Sequence, residues 1–126
     1  MKKSEKLFLI IDDEPDMCWA LEHILETLGV NAKTAQSGEE ALTLMRQNRF
    51  DLAFLDAKLP DSEGLELASR IRKISPDIKI VMVSGYFYKD DGLIEQALAN
   101  GIISGFISKP FRQDEILKAI EGECSL

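Results

Sequence analysis

Leu52-Ala53-Phe54-Leu55-Asp56-Ala57-Lys58-Leu59-Pro60 is the stretch on which the reading of the fold turns. Four apolar residues run directly into a carboxylate, and Pro60 and Gly64 follow. A short unbroken apolar run of this kind predicts a strand covered on both faces, as in the interior of a parallel sheet. Asp56 then stands where the strand leaves the core. A carboxylate at that edge stays near water, yet a rigid element carries it. Ligands and chemistry collect at the carboxyl ends of strands in open α/β sheets, so Asp56 is the first candidate for a reactive group.

Outward from this stretch, the chain alternates. Leu7–Ile11 is a second buried-strand run, ending on Asp12-Asp13-Glu14-Pro15. Acidic residues and a proline suit the first turn of a helix, where free N–H groups and the helix dipole favour negative charge. Met17, Leu21, Ile24 and Leu28 then recur at helical spacing until Gly29 supplies a stop. Trp19 falls opposite that stripe, in the company of Glu22, His23 and Glu26. Asn31–Ala35 is a weaker strand candidate; Ser37 and Glu40 have capping-box spacing before a helix with Ala41, Leu42 and Met45 on its apolar side.

Beyond the quoted strand, a loop through Pro60 and Gly64 leads to a helix with the stripe Leu65, Ala68, Ile71 and Ile74. Ser75-Pro76-Asp77 reads as a turn, and Ile78–Val83 as a strand ending on Ser84-Gly85. A helix is expected over Asp90–Asn100, then a short strand at Phe106-Ile107 ending at Ser108-Lys109-Pro110. The last helix uses Ile116, Leu117 and Ile120. Strand and helix thus alternate through five repeats, which predicts a parallel sheet with helices on both faces and right-handed crossovers. The expected architecture is a flavodoxin-like doubly wound (βα)5 sandwich, with strand order 2-1-3-4-5.

Composition sets the outer bounds. A chain of 126 residues, 45% hydrophobic and 29% charged, suits one globular domain with a real core. With 15 Lys+Arg against 22 Asp+Glu the formal net charge is −7, which argues against a nucleic-acid-binding face. Cys18 and Cys124 fit no metal-ligand spacing and read as a reduced pair. The apolar run after the basic N-terminus stops at Ile11, too short for a signal peptide or a membrane span, so the expected location is cytoplasmic. No repeat, low-complexity tract or linker divides the chain, and residues 1–126 are expected to form one domain with no output domain.

The strand ends supply the chemistry: Asp12 and Asp13, Asp56, Ser84 and Lys109. In a doubly wound sheet these ends lie side by side. Three crowded carboxylates would raise one another's pKa unless a cation intervened. A hard divalent ion such as Mg²⁺ fits that need, because it prefers carboxylate and water oxygens. Such a site suits phosphoryl transfer with Asp56 as nucleophile, Lys109 balancing the charge and Ser84 bonding a phosphoryl oxygen. Taken singly, each residue has a plainer role: helix-start charge, a loop carboxylate, a turn serine, a solvated lysine. Their joint appearance at successive strand ends favours the chemical reading.

Together these residues make the sequence similar to a receiver domain of two-component response regulators, over nearly the whole chain. Asp12-Asp13 matches the family's acidic pair and Asp56 its phosphoacceptor, followed by Pro60 and Gly64. Ser84 matches the switch Ser/Thr, Phe106 the switch aromatic, and Lys109-Pro110-Phe111 the Lys-Pro-Phe motif. The resemblance implies Mg²⁺ held by Asp12, Asp13, Asp56 and the Lys58 backbone carbonyl, and a cis Lys109-Pro110 peptide. It also implies a phosphohistidine donor, on a sensor histidine kinase or a histidine phosphotransfer protein, and an unnamed downstream effector. Since receiver domains dock their kinase partly through the first helix, Trp19 becomes a candidate kinase contact; His23 reads as a surface residue. Tyr86-Phe87-Tyr88 is unusually aromatic for the family, and homodimerisation through the last helices stays open. Two other functions compete. A phosphohydrolase using Asp56 on external esters would want a second Asp two residues on, where this chain has Lys58. A binding module that had lost phosphorylation would not need the intact acidic pair, Asp56 and Lys109.

Overall fold

The computed structural model describes residues 6–85 and 92–120. Its sheet is five-stranded, with order β2-β1-β3-β4-β5. The strands are β1 (Leu7–Ile11), β2 (Asn31–Ala35), β3 (Leu52–Leu55), β4 (Lys79–Ser84) and β5 (Gly105–Ser108). Between and after them run α1 (Pro15–Thr27), α2 (Gly38–Gln47), α3 (Gly64–Ile74), α4 (Gly92–Ala99) and α5 (Gln113–Ala119). Every pairing is parallel. This is the flavodoxin-like topology expected from the alternation.

Side chains of the central strands divide between two cores, as the two-residue strand period requires. Leu9 and Ile11 of β1 join Ala41, Leu42 and Met45 of α2, Leu67, Ala68 and Ile71 of α3, and Ala97 of α4. Phe8 and Ile10 face the other way, onto Cys18, Leu21 and Leu25 of α1 and Ile116 and Ile120 at α5. Phe8 and Phe54 meet edge to face on that side, with ring centroids 6.4 Å apart. All four residues of β3 are buried, as its unbroken apolar run predicts.

Several local expectations shift. The buried stripe of α1 is Cys18, Leu21 and Leu25, while Met17, Ile24 and Leu28 flank it. In α3 the buried residues are Leu67, Ala68 and Ile71; Leu65 flanks them and Ile74 is 40% exposed. The inward face of each helix is therefore turned by part of a turn from the face that the larger apolar residues suggest. Gly29, at φ 74°, ends α1 as expected. The start of the fourth helix at Asp90 and the aromatic run Tyr86–Tyr88 lie outside the described residues.

Gly64 is required by a close approach. Its N–H donates to the Ala57 carbonyl at 2.8 Å. A Cβ on Gly64 would stand 2.7 Å from the Ala57 Cα, so no side chain fits where the loop after β3 closes onto α3. The loop between Asp56 and α3 is thereby pulled tight behind the end of β3.

Candidate active site at the strand ends

Asp12, Asp56 and Lys109 each lie just past a strand's carboxyl end, and the backbone ladder carries one step further to fix them. The amide of Asp12 donates to Ala35 O at 3.0 Å, that of Asp56 to Ile11 O at 2.9 Å, and that of Lys109 to Ser84 O at 2.9 Å. These residues are thus aligned by sheet hydrogen bonds rather than by flexible loops. The Lys109-Pro110 peptide is cis, as the resemblance implies.

The side chains converge. Asp12, Asp13 and Asp56 each bring a carboxylate oxygen within 4.8 Å of the others. Asp12 is 2% exposed and Asp56 8%, while Asp13 is open to solvent. Lys109 joins the cluster: its Nζ lies 2.8 Å from Asp12 Oδ2, 3.6 Å from Glu14 Oε1 and 3.8 Å from Asp56 Oδ2. Asp12 also accepts the Glu14 amide on Oδ1 at 2.9 Å, which locks the turn into α1.

Burial pushes the Asp56 carboxyl above its ordinary pKa. The Lys109 ammonium and the nearby Lys58 backbone N–H pull it down; Asp12 and Asp13 push it up, and the upward pull prevails. For Lys109, burial works against the charged form, but the hydrogen bond and charge of Asp12, with the charges of Asp56 and Glu14, outweigh it and raise the ammonium's pKa. The result is a firmly protonated lysine beside a carboxylate whose charge lacks full compensation. An oxygen-only donor set of this kind, still short of positive charge, fits a hard divalent cation.

Ser84 is buried at the last position of β4. Phe106, paired in register with Met82, is partly buried against the core that faces α2, α3 and α4. Lys58 is exposed, and its backbone forms an antiparallel bridge with Glu63. Trp19 stands apart from the cluster on α1, 67% exposed. It stacks on His23, with ring centroids 5.3 Å apart and planes within 8°; His23 is exposed, as expected.

Other contacts escaped the sequence reading. Glu14 is one, although its place beside Asp12-Asp13 was a hint. Cys18 is another: its Sγ lies 3.3 Å from the Asp12 carbonyl, and burial, followed by the Asp12 charge, pushes the thiol up to about 11. Asp61 accepts the amides of Gly38 and Glu39 at 2.8 and 3.0 Å, a cap reaching α2 from the distant β3–α3 loop.

Known proteins resemble this chain in sequence and fold. The nitrogen assimilation regulatory protein NtrX of Azorhizobium caulinodans is 40% identical over 118 residues, covering 90% of this chain and 25% of that protein. This chain therefore spans about a quarter of that relative's length. Sporulation initiation phosphotransferase F of Bacillus subtilis is 30% identical, with 94% of this chain and 92% of that protein covered. The crystal structure of the response regulator protein TrrA from Thermotoga maritima, in complex with Mg²⁺-BeF, superposes with a TM-score of 0.80 at 32% identity, covering 93% of this chain and 97% of that one. The response regulator receiver domain model matches residues 8–121, nearly the whole chain, and the chain belongs to that family.

Proposed function

We propose that this domain accepts a phosphoryl group on Asp56 from a phosphohistidine, carried by a sensor histidine kinase or a histidine phosphotransfer protein. The observation that carries this reading is the convergence of the Asp12 and Asp13 carboxylates and Lys109 around a buried Asp56. One Asp56 oxygen forms the new P–O bond as the donor's P–N bond breaks, and the electron pair stays on the imidazole nitrogen. Asp12, Asp13, Asp56 and the Lys58 backbone carbonyl would hold Mg²⁺. When bound, Mg²⁺ supplies positive charge to the phosphoryl oxygens. The TrrA complex with Mg²⁺-BeF supports that assignment by analogy.

The chain's own groups do the rest. Lys109 is held by Asp12 close enough to Asp56 to pair with a phosphoryl oxygen. The Ser84 hydroxyl donates to another phosphoryl oxygen, and Phe106 follows it inward. Phosphorylation then shifts the population between two packings of the surface near α4 and β5, changing affinity for a downstream effector. Trp19 contributes to the kinase-docking face of α1. The domain works in the cytoplasm without contacting nucleic acid or membrane. Among the described residues, no helix is long and apolar enough to cross a membrane. Catalysis is confined to the domain's own phosphorylation and dephosphorylation.

Incubation with Mg²⁺ and a small acyl phosphate, read by intact mass, tests the proposal against the phosphohydrolase reading. One phosphoryl group per chain, absent from Asp56→Asn, is expected. Sustained turnover of phosphate esters without a stable adduct would sink it. For Trp19, the check is the rate of transfer from the cognate kinase. Trp19→Ala should slow it several-fold while leaving labelling by acyl phosphate unchanged, and an unchanged kinase rate would remove Trp19 from the docking face.

A further inference from the structure

Residues 57–63 fold into a closed loop directly behind Asp56. The Ala57 carbonyl accepts the Gly64 amide at 2.8 Å, Lys58 pairs with Glu63, and the Leu59 amide donates to Ser62 O at 3.1 Å. Leu59 itself is buried in the core. The loop's tip is fastened to a different element. Asp61 accepts the amides of Gly38 and Glu39, the first two of α2. These are groups that a helix cannot satisfy internally, at the end where its dipole favours negative charge. The fit is tight, since a Cβ at Gly38 would collide with the Ser62 side chain.

α2 also carries a cap of its own. Ser37 Oγ accepts the Glu40 amide at 3.1 Å, and Glu40 Oε1 accepts the Gln36 amide at 2.9 Å. Local sequence thus satisfies the Glu40 amide, while Asp61 satisfies those of Gly38 and Glu39 and, in doing so, ties that helix to the loop. The loop matters to the site because it begins directly after Asp56 and carries the Lys58 peptide, whose carbonyl is proposed above to help hold Mg²⁺.

We propose that Asp61 is a positioning residue for phosphoryl acceptance: by fastening the tip of loop 57–63 to the N-terminus of α2, it holds the Lys58 peptide in register with Asp56. The proposal rests on Asp56 being the phosphoacceptor. Without the tie, Gly64 and Leu59 still anchor the loop's ends, so the fold persists while the Lys58 peptide gains freedom.

Four proteins separate positioning from mere helix stability: wild type, Asp61→Ala, Asp61→Asn and Ser37→Ala. Mg²⁺ affinity of the unphosphorylated domain by calorimetry, the initial rate of labelling by acyl phosphate, and the melting temperature are measured for each. Asp61→Ala should lower both Mg²⁺ affinity and labelling rate by about 10-fold, the usual scale for a group that orients a metal ligand. Asp61→Asn keeps one acceptor oxygen and should lose less. Ser37→Ala weakens the same helix end from its other cap and should stay within about twofold of wild type in both functional measurements. Equal losses in Ser37→Ala and Asp61→Ala would overturn the positioning role, as would wild-type behaviour of Asp61→Ala. If Asp61→Ala does not fold, Asp61→Asn against Ser37→Ala decides in the same way. A wild-type protein that takes no phosphoryl group would instead overturn the proposed function, and this inference with it.

Discussion

Burial is the largest influence on Asp56, and it raises the carboxyl's pKa against the pull of Lys109. Because the folded-state value lies above the unfolded one, the ionised carboxylate works against folding at neutral pH. That cost disappears as the pH falls through the folded pKa. Metal-free Asp56→Asn should therefore melt a few degrees above wild type near pH 7, with the gap closing in acid, as differential scanning calorimetry in chelator would read. Lys109 has no comparable freedom, because Asp12 holds it at 2.8 Å. Cys18 gives a second check at this scale. With its thiol pushed up to about 11 by burial, its thiolate is roughly 100-fold scarcer at pH 8 than that of a thiol at the ordinary value of 9.0. In a Cys124→Ser background, iodoacetamide should modify the folded protein at least about 100-fold more slowly than the urea-unfolded chain. The candidate residues Asp12, Asp13, Asp56, Ser84 and Lys109 were legible because each follows or ends an apolar run. Glu14 and Cys18 were not, because their contacts depend on how the first turn of α1 bends back toward Asp12.

At the scale of elements, the loop from Asp56 to α3 couples the site to the helices around it. Gly64→Ala would drive a methyl group into the Ala57 backbone, and overpacking of that kind costs about 1–3 kcal/mol. The expected result is a lower urea midpoint together with slower labelling, because relief of the clash must move the loop that carries Lys58. Asp61 offers a pH test. Its two backbone hydrogen bonds hold its carboxyl below the ordinary 3.8, so its contribution is complete above that value and fades as the pH drops further. The melting difference between wild type and Asp61→Asn should be present at pH 7 and shrink below about pH 4. Helix existence was readable from periodicity, but helix rotation was less so: the stripe of α3 centres on Leu67, Ala68 and Ile71 and leaves Ile74 partly exposed. Long-range ties are the least legible of all. Arg72 looks like an ordinary helix charge, yet its guanidinium bonds the carbonyls of Pro76, Ile78 and Ile102, joining the turns before β4 and β5. Nothing in local spacing marks a residue whose partner is 30 positions away.

For the whole molecule, the β2-β1-β3-β4-β5 order is what gathers the chemistry. β1 and β3 are neighbours, so Asp12-Asp13 and Asp56 share one edge; β4 and β5 are neighbours, so Ser84 and Lys109 share the adjoining one. The topology was legible because alternating strand and helix patterns leave few right-handed arrangements. The distances were not, since a 2.8 Å ion pair between residues 97 positions apart depends on how all five strands stack. The central claim is that this assembly makes Asp56 an acceptor of phosphoryl groups. Its most direct test is chemical mapping: label with acyl phosphate and Mg²⁺, reduce with borohydride, digest, and sequence the peptides by mass spectrometry. An aspartyl phosphate is reduced to homoserine, so homoserine should appear at position 56, and it should vanish when chelator replaces Mg²⁺. Homoserine at another aspartate, or none in protein that binds Mg²⁺, would contradict the account.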